Sequence, residues 1–331
     1  MEPIDLPLHA IAMTTFRQLT VASALFASSW LTAAHAAQPL LSPAELASAQ
    51  QSAAAPVVLD IREPKLYAEG HIPGALNAPY GKWRGPATNP GELPDLPKLT
   101  ALVQSLGLTP ATHAVVVSTG ADATDFGAMA RVYWSLKVLG LKDLSIVNGG
   151  MKTWVAEGQP VSTQAPQVQA SSYQPVLDES LIATRDQVRS HVDLSNAALV
   201  DSRPDAFYQG KTRAPAAKLS GTLPGAQQLD FNQWFVKGTA QFVDPATARQ
   251  IAQKVSRKDG QDTVAFCNTG HWAATDWFGL SEMAGLPNVK LYAGSMVDWT
   301  QQPDAPAMEN QPGRAESLAY DAKQWWQRKF K

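Results

Sequence analysis

From about residue 40 onward, short and largely apolar runs bounded by turn residues alternate with longer stretches whose apolar positions recur at helical spacing. The runs at 56–60, 113–119 and 143–148 come first, and those at 197–201, 262–267 and 289–293 follow. Between them, Ser42-Pro43-Ala44-Glu45 reads as a capping box that opens a helix, because the Ser and Glu side chains can satisfy each other's backbone donors. Helical spacing also runs from Phe126 to Leu139, from Asp244-Pro245 through Val255, and from Trp272 to Ala284. Buried strands separated by helices predict an α/β fold with parallel sheets covered on both faces. Residues 158–175 are polar, contain proline and show no periodicity, which marks a linker.

The pattern occurs twice. A strand ends in Asp, an Arg follows two residues on, a Tyr five further, then a Gly and later Pro-Gly-Ala. Asp60, Arg62, Tyr67 and Pro73-Gly74-Ala75 in the first half answer Asp201, Arg203, Tyr208 and Pro224-Gly225-Ala226 in the second. Later, residues 145–154 (SIVNGGMKTW) answer 290–299 (KLYAGSMVDW). Two copies in one order mean duplication of a whole domain, and 331 residues suit two domains of ~150 each.

The amino-terminal stretch has a different character. From Met13 the chain carries one cation, Arg17, then an uncharged, largely apolar run from Leu19 to Leu31, then Ala34-His35-Ala36 as a small-x-small cleavage site. That is the layout of a Sec-type export signal, with Met13 as the expected true start, and it predicts a periplasmic location. The run is too short to span a bilayer, which takes ~20 apolar residues, and no other long apolar stretch follows it, so the mature chain is not expected to insert in a membrane. The expected organisation is a signal over 1–36, a first domain over 37–157, a linker over 158–178, a second domain over 179–305 and a tail over 306–331. The tail's terminal Lys-Gln-Trp-Trp-Gln-Arg-Lys-Phe run is expected to fold back on the protein.

Removing Arg17, Glu2 and Asp5 with the signal leaves 26 cations against 27 acids. A nearly neutral chain has no electrostatic footprint for nucleic acid. One cysteine in the whole sequence excludes an intramolecular disulfide, a zinc finger and a C-x-x-C redox motif. An unpaired thiol in an oxidising compartment is prone to oxidation, so Cys267 is either buried and inert or it has a task.

Its setting favours a task. Cys267 ends a strand and opens Asn268-Thr269-Gly270-His271-Trp272, after which helical spacing begins. A strand-to-helix turn at the carboxyl edge of an α/β sheet is where ligands bind. Loop N–H groups there are expected to converge on the sulfur, favour thiolate over thiol and cradle an anion. Gly270 lets the loop turn without a Cβ in the cradle.

The paired Asp-x-Arg, the x-Pro-Gly-Ala turns, the Gly-Gly/Gly-Ser-Met-x-x-Trp endings and the Cys267–Trp272 loop together resemble the rhodanese family in its tandem-domain sulfurtransferase form, over roughly residues 40 to 305. The resemblance implies two rhodanese-like domains, a catalytically silent first one with Ser118 or a neighbour in the cysteine's place, and a second one whose Cys267 carries a persulfide. It implies a small-molecule sulfur donor such as thiosulfate, a thiophilic acceptor such as cyanide or a thiol, and no metal or organic cofactor. The persulfide loop would be Asn268, Thr269, Gly270, His271 and Trp272, with Asp201 and Arg203 at its border. Thiosulfate-using tandem enzymes place cations in the loop and near the second-domain Tyr, where this chain has Asn268, Thr269 and Phe207. His271, Arg203, Lys211, Arg213 and Lys218 are the residues that could supply the missing charge.

Bland readings stand beside these. Asp201 and Arg203 repeat in the half that lacks a thiol, so a fold-level ion pair is the favoured reading, and Trp154 and Trp299 read as packing. His71, His113 and His191 share no ligand spacing, and one Cys with His271 is too few ligands for a metal. A phosphatase of similar loop would need Arg six residues after the cysteine, where Ala273 stands. A cysteine hydrolase with a His base and a sulfur carrier that loads from a partner remain as alternatives, as do mercaptopyruvate and polysulfide as donors.

Overall fold

A computed structural model describes Met1, residues 37–301 and residues 308–330. The expected export signal, apart from Met1, and part of the expected tail lie outside the described residues. The first half forms a five-stranded parallel sheet from β1 (Leu40–Leu41), β2 (Val57–Asp60), β3 (Leu76–Asn77), β4 (Ala114–Val117) and β5 (Leu144–Val147), in the order β1-β5-β4-β2-β3. The second half repeats it with β6 (Ala198–Asp201), β7 (Gln227–Gln228), β8 (Thr263–Phe266) and β9 (Val289–Leu291), in the order β7-β6-β8-β9. Every residue of β4, β5, β6 and β8 is buried, as expected for parallel strands covered by helices on both faces.

Local chemistry sets the helix ends. Ser42 caps the Pro43–Ala49 helix reciprocally with Glu45, whose carboxylate accepts from the Ser42 N–H at 2.8 Å. Asp244 caps the Pro245–Ala252 helix by accepting from Ala246 and Thr247. That helix stops three residues short of the expected Val255, where Lys254 and Val255 close into tighter turns. The Ala123–Val138 helix begins three residues before Phe126, because Asp122 caps it through Asp125 N–H. The expected Trp272–Ala284 helix divides into an α-helix over Trp272–Trp277 and a π turn over Phe278–Met283.

The two halves share one core. The Ala123–Val138 helix is buried along nearly all of its length because it packs against the Trp272–Trp277 helix of the other half. Phe126 lies 4.9 Å from Phe242 and 5.6 Å from Phe278, and Tyr133 lies 5.2 Å from Phe278. At ~2–3 kcal/mol per buried aromatic side chain, this seam holds the halves in fixed register. Beside it, Lys137 and Tyr133 both bind the Glu282 carboxylate, at 2.6 and 2.8 Å. Trp154 and Trp299 are 0% and 1% exposed, as packing residues should be.

After Asn310 the chain forms a helix over Arg314–Phe330. Tyr320 anchors it, donating its hydroxyl to the Arg213 carbonyl at 3.1 Å. Of the terminal aromatics expected to fold back, Trp325 and Trp326 are 54% and 56% exposed, while the Phe330 side chain lies outside the described ones. The anchor lies a full turn before them, and Lys329 Nζ lies over the Trp325 ring, 4.9 Å from its centroid. No helix among the described residues is long and apolar enough to cross a membrane.

Candidate active site

Cys267 is the first residue beyond β8, and the duplicated hydrogen-bond register identifies its counterpart. Met296 N–H donates to the Cys267 carbonyl at 3.1 Å and Val297 N–H to the Asn268 carbonyl at 3.0 Å. In the first half Met151 and Lys152 donate to Ser118 and Thr119 at 2.8 and 2.9 Å. Ser118 therefore stands where Cys267 does. Its hydroxyl is taken by the Asp125 carboxylate at 2.7 Å, so the first copy offers neither a thiol nor a free hydroxyl.

The loop after Cys267 is held by a residue that sequence patterns did not single out. Ser295 Oγ accepts from the N–H groups of both Cys267 and Gly270, at 3.0 and 3.1 Å, and donates to the Tyr292 carbonyl at 2.8 Å. Ser295 sits at φ +53°, where the duplicate has Gly150 at φ +61°. Left-handed backbone suits glycine, so a serine there carries a conformational cost that the three hydrogen bonds offset. The replacement of Gly-Gly by Gly-Ser between copies was the signal for it. The expected convergence of loop N–H groups on the sulfur is not what the hydrogen bonds show: those of Cys267 and Gly270 go to Ser295, while those of Asn268, Thr269 and His271 have no protein acceptor among the described residues. Gly270 is required by its φ of +63° and because a Cβ there would strike the Ala293 carbonyl.

Asp201 and Arg203 form a buried pair at 2.6 Å, with Arg203 also donating to the Gly221 carbonyl at 2.7 Å and Thr222 donating to Asp201 at 2.6 Å. Asp60 and Arg62 repeat this at 2.5 Å, with the Gly70 carbonyl as third partner. The recurrence in both halves makes it a fold-level pair. Arg203 does border the loop, since Nη1 comes within 3.5 Å of Asn268 Oδ1, but its charge is already matched. Lys211, Arg213 and Lys218 line grooves against the carboxyl-terminal helix with Ser317, Leu318 and Tyr320. Lys211 pairs there with Asp205, and Lys218 donates to the Gln301 carbonyl. They do not supply the missing charge at the cysteine loop.

Nor does His271. Its Nε2 donates to the Thr124 carbonyl at 2.7 Å and its Nδ1 accepts from the Tyr80 hydroxyl at 2.8 Å, both partners being in the first half. Burial, reinforced by Arg84 and Arg131, lowers its pKa to about 4. The ring is neutral at pH 7 with both nitrogens occupied, which removes it as cation or base and makes it a latch between the halves. Gly127 permits the latch, because a Cβ there would fall 2.9 Å from the ring. Trp272 stacks on Phe231 at 4.9 Å and meets Phe207 edge-on at 5.7 Å, forming an aromatic wall.

The cations beside the loop come from the first half. Arg131, on the Ala123–Val138 helix, is fully buried, and its Nη1 lies 2.8 Å from where a Gly270 Cβ would be. Arg84 stacks on Tyr80 with Cζ 5.3 Å from the ring centroid. A charged residue on the apolar face of the Phe126–Leu139 stretch was the available sequence signal for Arg131. Cys267 itself is 1% exposed. Among the described residues, no group of His, Cys, Asp and Glu is placed to hold a metal.

With this geometry in view, the likenesses to known proteins are specific. The family model for the Rhodanese-like domain matches residues 42–157 and again 184–302. The chain is 30% identical over 260 residues to a thiosulfate sulfurtransferase of Pseudomonas aeruginosa, covering 76% of this chain and 90% of that one. It is also 30% identical over 246 residues to the sulfur carrier protein TtuD of Thermus thermophilus, covering 71% and 84%. The crystal structure of SseA from Escherichia coli, a 3-mercaptopyruvate sulfotransferase of rhodanese fold, superposes with a TM-score of 0.66 at 21% identity, covering 78% of this chain and 98% of that one.

Proposed function

The chain belongs to the rhodanese family of sulfurtransferases, and on that premise we propose that it is a thiosulfate sulfurtransferase carrying sulfur as a persulfide on Cys267. The Cys267 thiolate attacks the outer sulfur of thiosulfate; the S–S bond of the donor breaks, a Cys–S–S bond forms, and sulfite leaves with the bonding electron pair. The terminal sulfur of the persulfide then passes to a thiophilic acceptor. With cyanide, thiocyanate forms and the thiolate is regenerated, so both steps balance without an oxidant or cofactor.

The observation that carries this reading is the placement of the chain's one thiol at the end of β8, under a loop whose Asn268, Thr269 and His271 N–H groups have no protein acceptor among the described residues. Those donors suit an anionic sulfur better than a neutral thiol. The aromatic wall of Phe207, Phe231 and Trp272 fits a soft, polarisable group nearby. The name of the Pseudomonas relative supports thiosulfate as the donor; that of TtuD favours a second reading, a carrier that loads once from a partner.

Turnover separates the two. The enzyme reading expects sustained thiocyanate formation from thiosulfate and cyanide, abolished in Cys267→Ser; a single equivalent released per protein would establish the carrier, and faster turnover with mercaptopyruvate would reassign the donor. We also propose that the protein is exported to the periplasm, on the strength of residues 13–36, and cell fractionation with amino-terminal sequencing of the mature chain tests that.

A further inference from the structure

We propose that Arg131 and Arg84, both carried by the catalytically silent first domain, form an oxyanion subsite for the cysteine loop of the second, holding the charged head of a small sulfur donor. The ligand chemistry is a compact anion, the sulfonate of thiosulfate or the carboxylate of a mercapto acid. The inference rests on the sulfurtransferase reading for its ligand, but not for its electrostatics.

Three observations carry it. First, Arg131 is 0% exposed, and although its guanidinium lies over the Trp134 ring at 4.9 Å, only Nη2 has a hydrogen-bond acceptor, the Gly91 carbonyl at 2.9 Å; Nε and Nη1 are buried with none. A desolvated guanidinium with unused donors is costly unless an anion completes it. Second, the like charge of Arg84 is close by, and its Nη1 is also buried without an acceptor. Among the described residues neither arginine has a carboxylate ion-pair partner. Third, the second domain's own candidates are engaged elsewhere: Arg203 by Asp201, Lys211 by Asp205, Lys218 by a carbonyl, and His271 by the two hydrogen bonds that keep it neutral.

The charge persists at neutral pH. Burial and the repulsion of Arg84 lower the Arg131 pKa to about 9, and the groups favouring its charged form are Tyr80 and Cys267. The field of Arg131 therefore reaches the cysteine loop that a donor must approach. Guanidinium groups suit the task, because their planar donors match the oxygens of a sulfonate or carboxylate. It also gives the silent domain a function in the chemistry, and it answers the absence of cations at Asn268, Thr269 and Phe207.

The test uses the full chain and reads charge separately from turnover. Cys267 is the chain's one thiol, so its alkylation by anionic iodoacetate and neutral iodoacetamide can be followed by mass. The ratio of the two rates should fall about 10-fold or more in Arg84→Gln and in Arg131→Gln, since one charge-assisted contact is worth roughly that much. Arg131→Lys should recover part of it. In steady state, the KM of the true donor should rise about 10- to 100-fold with a smaller change in kcat, and running thiosulfate and mercaptopyruvate in parallel shows which head group the subsite holds. If Arg131→Gln fails to fold, Arg84→Gln decides alone, because Arg84 is less deeply buried. Unchanged alkylation ratios and unchanged KM in folded variants would overturn the subsite while leaving a working sulfurtransferase intact. A ratio that falls in a protein with no turnover on either donor would uphold the subsite and defeat the sulfurtransferase reading instead.

Discussion

Acidification from about pH 7 to about pH 4.5 should loosen the contact between the two halves through a single side chain, His271. In the native state its neutral ring is fixed by two hydrogen bonds, Nε2–H to the Thr124 carbonyl and Tyr80 O–H to Nδ1. The groups facing it are Tyr80, Arg84, Arg131 and, with the opposite influence, Asp122. Folding lowers its pKa from 6.5 to about 4, so between those values the unfolded chain holds a proton that the native chain does not. Stability from the latch is complete above about pH 6.5 and is lost as the pH falls toward 4. At ~1.4 kcal/mol per pH unit the full loss is about 3 kcal/mol, trimmed toward ~2 kcal/mol by the ring's remaining exposure. Urea unfolding of wild type and His271→Asn across this range should show the stability gap closing by that amount. Selective histidine NMR should place the His271 titration near pH 4. A titration near 6.5, or parallel stability curves, would refute the reasoning.

Other consequences follow from the same geometry. Ser295→Ala orphans the N–H groups of Cys267 and Gly270, and should cost roughly 2–6 kcal/mol at ~1–3 kcal/mol per unsatisfied donor, read by chemical denaturation, with kcat falling alongside. Asp276 is fully buried, accepts from Trp234 Nε1 at 2.8 Å, and has its pKa pushed well above the usual carboxylate range by burial; wild type should therefore lose stability relative to Asp276→Asn as pH rises above the ordinary carboxylate value, and equal slopes in thermal melts would contradict this. Ser118→Cys places a thiol beside the Asp125 carboxylate, which disfavours thiolate; treated with thiosulfate, that variant should gain one sulfur and not two by intact mass.

Much of this fold is written in local pattern. The six apolar runs became the six longer strands, and the Ser42–Glu45 box formed as its residues dictate, because burial on both faces and reciprocal capping are decided within a few residues. The two-residue strands β1, β3 and β7 carry no such signal; they exist because a neighbouring strand offers a ladder. At the site, Cys267 and Gly270 stood out by their place between strand and helix. Ser295 did not, since its role depends on a left-handed backbone that its glycine counterpart adopts without a hydroxyl. Arg131 showed only as a charged residue on an apolar helix face, and the approach of Arg131 and Arg84 to the loop was illegible for a larger reason: both come from the other domain, and no spacing along one chain segment reports how two domains dock. For the same reason His271, which reads locally as a base or cation near a thiol, is made a neutral latch by partners more than a hundred residues away.

Sulfur transfer through Cys267 is tested most directly by the intact mass of the purified protein. Wild type treated with thiosulfate should gain one sulfur atom, lose it to a reducing thiol, and regain it on a second treatment, while Cys267→Ser should gain none. A mass unchanged by thiosulfate, mercaptopyruvate and polysulfide alike, or a sulfur that Cys267→Ser still acquires, would contradict the claim that this thiol carries the reaction.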